Sequence, residues 1–160
     1  MSFLKAGDTI SGQEAVARIT IKEANGASSV EDMFWAKDLD ATCEILKTEV
    51  KTLGRRGTQH KPNGWTGSGS MTIFYITSIF RKMCLQYIKT GIPVYFDMLV
   101  SNDDPGSTVG AQTTLLKDCT VNSVTLAKFN VESEILDETV DFTFNDAELL
   151  DEFGRPVLGS

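Results

Sequence analysis

Apolar and polar residues alternate from Ala15 to Lys22, with Ala17, Ile19 and Ile21 on one side and Arg18, Thr20 and Lys22 on the other. A period of two marks a strand with one buried face. Asn25-Gly26 follows, a dipeptide suited to a tight turn. Residues 30–37 and 41–50 continue as strand with a weaker alternation, and residues 71–76 return to it. Val94, Phe96, Met98 and Val100 alternate with Tyr95, Asp97 and Leu99, and Val140, Phe142 and Phe144 alternate with Thr139, Asp141 and Thr143. Residues 112–128 read as one long strand whose apolar parity changes. Leu115, Cys119 and Val121 share one side, Val124 and Leu126 the other, so a bulge or bend near Asn122-Ser123 is expected.

One segment has helical spacing instead. Ile79, Phe80, Met83, Cys84, Tyr87 and Ile88 form a single stripe, with Arg81, Lys82, Gln86 and Lys89 on the opposite side. Thr77 or Ser78 suits the N-cap, Gly91 the C-cap, and Pro93 prevents continuation. Burying that stripe contributes on the order of 10 kcal/mol before ordering entropy is subtracted. The pattern predicts a single antiparallel β domain over residues 1–160, mainly β, with one α-helix laid across it. Its edge strands invite pairing with another copy.

Residues 51–70 break the alternation. They are rich in glycine and poor in aliphatic residues, and they predict a long flexible loop, a length that is usually functional in a compact domain. Residues 102–110 (NDDPGSTVG) read as a shorter loop.

Charge sharpens this picture. The net charge is -7, which argues against specific nucleic-acid binding. Residues 1–130 hold 14 basic and 13 acidic side chains, whereas residues 131–160 hold one basic and nine acidic, all nine of the latter in the acidic segment 131–152. Lys51, Arg55, Arg56 and Lys61 cluster in the glycine-rich segment. The two regions are either separate solvated surfaces or complementary patches that meet between copies. Trp65, among glycines, either folds back on the domain or anchors a partner.

Catalytic and ligand chemistry is hard to assemble from these residues. His60 is the only histidine and sits in the predicted loop, a poor place to hold a base. Cys43, Cys84 and Cys119 are dispersed and have no metal-ligand spacing, so free thiols are expected and no metal. No phosphate-cradling loop motif and no nucleophile elbow occur, and the NDDPG turn lacks calcium-loop spacing. No cofactor and no enzyme activity are expected. The start, MSFLKAGDTISG, lacks a signal-peptide core, and no apolar stretch is long enough to cross a bilayer as a helix.

The ordered set LKAGDTISGQE, LKTEVKTLGRRG, GRRGTQHKPNGWTGSGSMT, FYITS, QYIKTG, NDDP and VDFTFND resembles the XkdM-like family of phage tail tube proteins, which includes the tube subunit of PBSX-type contractile tails. The resemblance covers residues 4–153. It implies an antiparallel β-sandwich or half-barrel with a flanking helix. It also implies hexameric rings that stack into a tube, with a sheath, a baseplate or initiator, and a terminator as partners. The protein is then made in the bacterial host cytoplasm and resides in the virion tail, with DNA passing through the lumen or the tube penetrating an envelope. Arg55, Arg56, Lys61 and Trp65 become candidates for contact between subunits. The runner-up function is a monomeric ligand-binding β-barrel. If the helical stripe is core, Met83→Asp buries an unpaired charge and lowers stability by several kcal/mol in chemical denaturation; a variant that folds normally and fails only to assemble refutes the core assignment.

Overall fold

The computed structural model describes residues 3–23 and 26–156. It contains β1 (Ala15–Lys22), β2 (Ser28–Asp32), β3 (Ala36–Val50), β4 (Gln59–Phe74), α1 (Ile79–Thr90), β5 (Tyr95–Asp103), β6 (Ala111–Ser123), β7 (Asp137–Phe144) and β8 (Asp146–Asp151). All neighbouring strands are antiparallel, in the order β2-β1-β5-β6-β7-β4-β3, with β8 beside β6. β6 is the corner. It pairs with β5 and β8 through its first part and with β7 through its last. The sheet therefore folds over at β6 without closing, and β1–β5 face β4–β7 across one core, the expected sandwich or half-barrel with a flanking helix. Aromatic rings bridge the halves: Trp35 meets Phe80 at 5.5 Å, Phe80 meets Phe96 at 5.9 Å, and Phe96 meets Phe142 at 6.4 Å between centroids. Ile19, Met71, Ile73, Met98 and Val140 fill the space around them.

The regular alternations give the elements expected of them. β1 has the predicted limits, and Val140, Phe142 and Phe144 of β7 are all buried. Asn25 of the predicted turn lies outside the described residues. Gly26 takes φ 86°, which favours glycine, and donates its N–H to the Glu23 carbonyl.

Four expectations need correction. First, residues 30–37 are not one strand. β2 ends at Asp32, and a turn drops Met33 and Trp35 into the core before β3 begins. Second, the parity of β6 switches earlier than Asn122. Leu116 and Cys119 are the buried apolar residues because a bulge with Asp118 at φ 52° sits between them, opposite Phe96–Met98. A second register shift does fall between Val121 and Ser123.

Third, residues 51–70 are not a loop throughout. Only 51–58 connect the strands, and β4 begins at Gln59. The glycines at 67 and 69 serve close packing rather than backbone freedom. A Cβ on Gly69 would lie 2.6 Å from Cζ of Phe142 and 2.6 Å from the Asp40 carbonyl oxygen, and one on Gly67 would strike the Phe144 ring. Two phenylalanines of β7 lie across a strand stripped of side chains to receive them.

Fourth, only part of the helical stripe is core. Phe80 and Met83 are buried and Ile79 packs against them, but Cys84 is half-buried and Tyr87 and Ile88 are exposed. The C-terminal half of α1 rises away from the sheet. Gly91 caps it as expected, at φ 72° with its N–H on the Tyr87 carbonyl. Arg81, assigned to the solvent side, is instead largely buried. Its guanidinium stacks on Tyr75 at 4.5 Å, donates to the carbonyls of Thr77 and Thr125, and pairs with Glu138 at 2.5 Å. Glu138 is 3% exposed, so this is a desolvated ion pair.

Two variants test these assignments. Gly69→Ala is expected to lose about 1–3 kcal/mol in urea unfolding through overpacking, whereas Ser68→Ala on the opposite face stays near the parent. Glu138→Ala strands the Arg81 charge and is expected to cost about 3–5 kcal/mol; an unchanged midpoint shows that solvent reaches the guanidinium.

Candidate assembly interface

β4 pairs with β7 only from Gly67 to Phe74. The preceding residues of β4, with the C-terminal half of β3, form a two-stranded ribbon that leaves the body of the sheet, and every residue from Thr42 to Thr66 is exposed. Eight residues of extended chain, Cys43 to Val50, make this arm about 25 Å long. The ladder between the strands is supplemented by Asn63 donating to Thr48 at 2.5 Å and Gln59 donating to Thr52 at 3.4 Å. A bulge between Ile45 and Lys47, with Gly64 at φ 141°, breaks its register. An isolated two-stranded ribbon is marginal in water.

The predicted contact residues all lie on this arm. Arg55 and Arg56 occupy the tip connection, while Lys61 and Trp65 are on β4. Trp65 pairs across the ladder with Ile45, and its ring lies 6.2 Å from Phe144 at the sheet margin. It packs back on the body yet stays 45% exposed, at a shallow groove shared with Cys43, Ile45, Pro62 and Ala147. Leu53 at the tip is fully exposed.

The body and the arm treat charge differently. In the body, Arg18 pairs with Asp32, Lys22 with Asp97 and Asp118, Lys37 with Asp137, and Lys117 with Glu148. The Asp118 and Asp97 carboxylates raise the Lys22 pKa, Glu148 raises that of Lys117, and Lys37 lowers that of Asp137. Among the described residues, none of the arm cations Lys47, Lys51, Arg55, Arg56 and Lys61 has such a partner.

Two further surfaces stand out. Among the described residues, the outer edge of β3 has no partner strand along its 15 residues. The outward face of β3, β4 and β7 carries Asp38, Asp40, Thr42 and Glu44, then Ser68, Ser70 and Thr72, then Thr139, Asp141 and Thr143. Lys37 at its end is held by Asp137. This hydroxyl and carboxylate face went unnoticed in the sequence, although the alternation of Asp38, Asp40, Thr42 and Glu44 signals it.

The thiols are unpaired. Cys43 is exposed, Cys84 half-buried and Cys119 buried, with burial pushing the Cys119 thiol up to about 12. His60 is exposed on the arm. Among the described residues no group of His, Cys, Asp or Glu is placed to hold a metal ion, and no helix is long and apolar enough to cross a membrane.

The fold has counterparts in known proteins. The structure resembles the tube-terminating cap of the anti-feeding prophage (TM-score 0.64, 12% identity, 88% of this chain and 90% of that one). It likewise resembles a chain in the sheath–tube complex of the PVC extracellular contractile injection system in its extended state (TM-score 0.61, 10% identity, 88% and 90%). In sequence the chain is 36% identical over 146 residues to the phage-like element PBSX protein XkdM of Bacillus subtilis strain 168, covering 91% of this chain and 93% of that protein. The uncharacterized YqbM of the same strain matches to the same extent. A family model described as phage tail tube protein matches residues 2–151, and with that match the chain belongs to the phage tail tube protein family.

Proposed function

We propose that the chain is the tube subunit of a contractile tail or tail-like particle, a structural protein and not an enzyme, that closes into hexameric rings and stacks them into a tube. The observation that carries this reading is the exposed arm of residues 42–66 beside the open edge of β3. An edge of that length is a template for strand pairing with another copy. An arm with unpaired cations and exposed apolar groups lacks enough contacts of its own to be a stable free element. The hydroxyl and carboxylate face of β3, β4 and β7 faces the lumen, because a surface of one sign lets a polyanion pass without sticking. Sheath, baseplate or initiator, and terminator are the partners of such a tube. Its place is the virion tail, after synthesis in the host cytoplasm. The runner-up, a ligand-binding barrel, finds no support in the interior, where Trp35, Phe80, Phe96 and Phe142 occupy the space between the halves.

On this reading Arg55, Arg56, Lys61 and Trp65 contact a neighbouring subunit, with an acidic surface receiving the cations. The double variant Arg55→Glu, Arg56→Glu is expected to melt like the parent, since both side chains are exposed and unpaired, and to form no long tubes by negative-stain microscopy. Tube growth of the parent is expected to weaken with added salt, as exposed charge pairs do. Polymerisation of the variant like the parent removes these charges from assembly. A parent that stays monomeric at high concentration with baseplate components present counts against tube formation itself.

A further inference from the structure

The acidic segment 131–152 is the obvious source of carboxylates for the arm, but the structure divides it sharply. Asp137 is held by Lys37, Glu138 is buried against Arg81, and Glu148 is held by Lys117. Asp141 lies on the hydroxyl face, where no apolar side chain accompanies it except the margin of Phe74. The carboxylates after Phe144 follow β7 on the arm's own side of the sheet. Glu132 and Glu134 remain. Both are exposed, and among the described residues neither side chain has an ionic partner.

These two carboxylates sit in the connection between β6 and β7, residues 124–136, which has an unusual surface. Phe129 is 86% exposed, Val131 81% and Ile135 69%. Such a concentration of bare apolar groups on a short segment marks an interaction surface. Its base is firmly held: Thr125 accepts from Arg81, Lys128 donates to the Asp137 carbonyl, and Leu136 accepts from the Tyr75 amide. The segment is therefore presented by the fold.

Its position is the decisive fact. Along β4 the arm departs before Gly67, paired with Phe144, while the 124–136 segment enters β7 at Asp137, opposite Phe74. Arm and segment thus lie at opposite ends of the same ladder, separated by about 25 Å of strand. The arm runs on from the end of the ladder opposite its own segment, so its tip points away from residues 124–136 of the same chain and toward a copy placed head to tail. The chemistry matches too. The arm tip offers Leu53 with Arg55 and Arg56, and the segment offers Phe129 and Val131 with Glu132 and Glu134.

We infer that the 124–136 segment of one copy is the receptor for the arm of the next, with Arg55 and Arg56 on Glu132 and Glu134 and with Leu53 against Phe129 and Val131. The inference rests on the tube reading above and names the surface that receives the arm. The contact is heterologous: each copy gives an arm at one end and accepts one at the other, which propagates without closing.

Charge reversal on each side, followed by mixing, tests it. The variants are Arg55→Glu, Arg56→Glu and Glu132→Lys, Glu134→Lys, each checked for the parent's melting curve and assayed by sedimentation and microscopy. Each alone is expected to lose sedimentable tubes. A 1:1 mixture is expected to recover them, because every arm then finds a complementary segment on the other variant. Recovery in the mixture also shows that both chains are folded. Failure of the mixture when both variants fail alone overturns the inference. So does a segment variant that polymerises like the parent while the arm variant does not, an outcome that leaves the tube reading intact. If both variants polymerise like the parent, the charge pairing is overturned together with the role of the arm cations in assembly.

Discussion

The ion pair between Arg81 and Glu138 ties together parts of the chain that no strand ladder joins. Its guanidinium reaches the residues leading into α1 through Thr77, the start of the β6–β7 connection through Thr125, and the start of β7 through Glu138. A well-packed apolar pair would match its contribution to stability. It would not hold three backbone segments in fixed relation at once. Because β7 is the strand that orders β4, and β4 the strand that carries β3, the placement of the arm traces back to this desolvated contact. The same contact fixes the base of the exposed 124–136 segment, so both ends of the ladder depend on it.

Much of the fold was legible because it rests on short-range pattern. The alternation in β1, β5 and β7 needs only neighbouring residues to be read, as does the helical spacing of Ile79, Phe80 and Met83. What escaped reading depends on partners far away in the chain. The glycines at 67 and 69 look like loop residues until the phenylalanines at 142 and 144 are laid over them. Arg81 looks like a solvent-side cation until Glu138, 57 residues later, is brought beneath it. The one-residue bulge at Asp118 shifts Leu115 outward and Leu116 inward, and nothing in the local composition marks it. The candidate contact residues Arg55, Arg56, Lys61 and Trp65 stood out by type, yet their geometry did not: Lys61 and Trp65 lie on a two-stranded ribbon, and Arg55 and Arg56 on the short connection at its tip.

Charge is partitioned by the fold. The cations of the body strands are matched within the subunit across the sheet, and among the described residues those of the arm are left unmatched. Unmatched side chains cost a soluble subunit little, since water solvates them, and each pair formed later between copies adds only modest energy. Assembly through such contacts is specific and adjustable, because the apolar side chains beside them supply the buried area while the charges select the partner and orientation.

An arm that projects from one end only has a consequence for the finished polymer. On the pairing inferred above, in which the arm of one copy grips the 124–136 segment of the next, a stack of such subunits is polar and its two termini are chemically different. One terminus displays arms with nothing to grip, basic and partly apolar. The other displays vacant acidic segments with phenylalanine bared. A factor that starts a stack and a factor that stops it therefore cannot be the same protein used twice: one has to imitate the arm, and the other has to imitate what the arm holds.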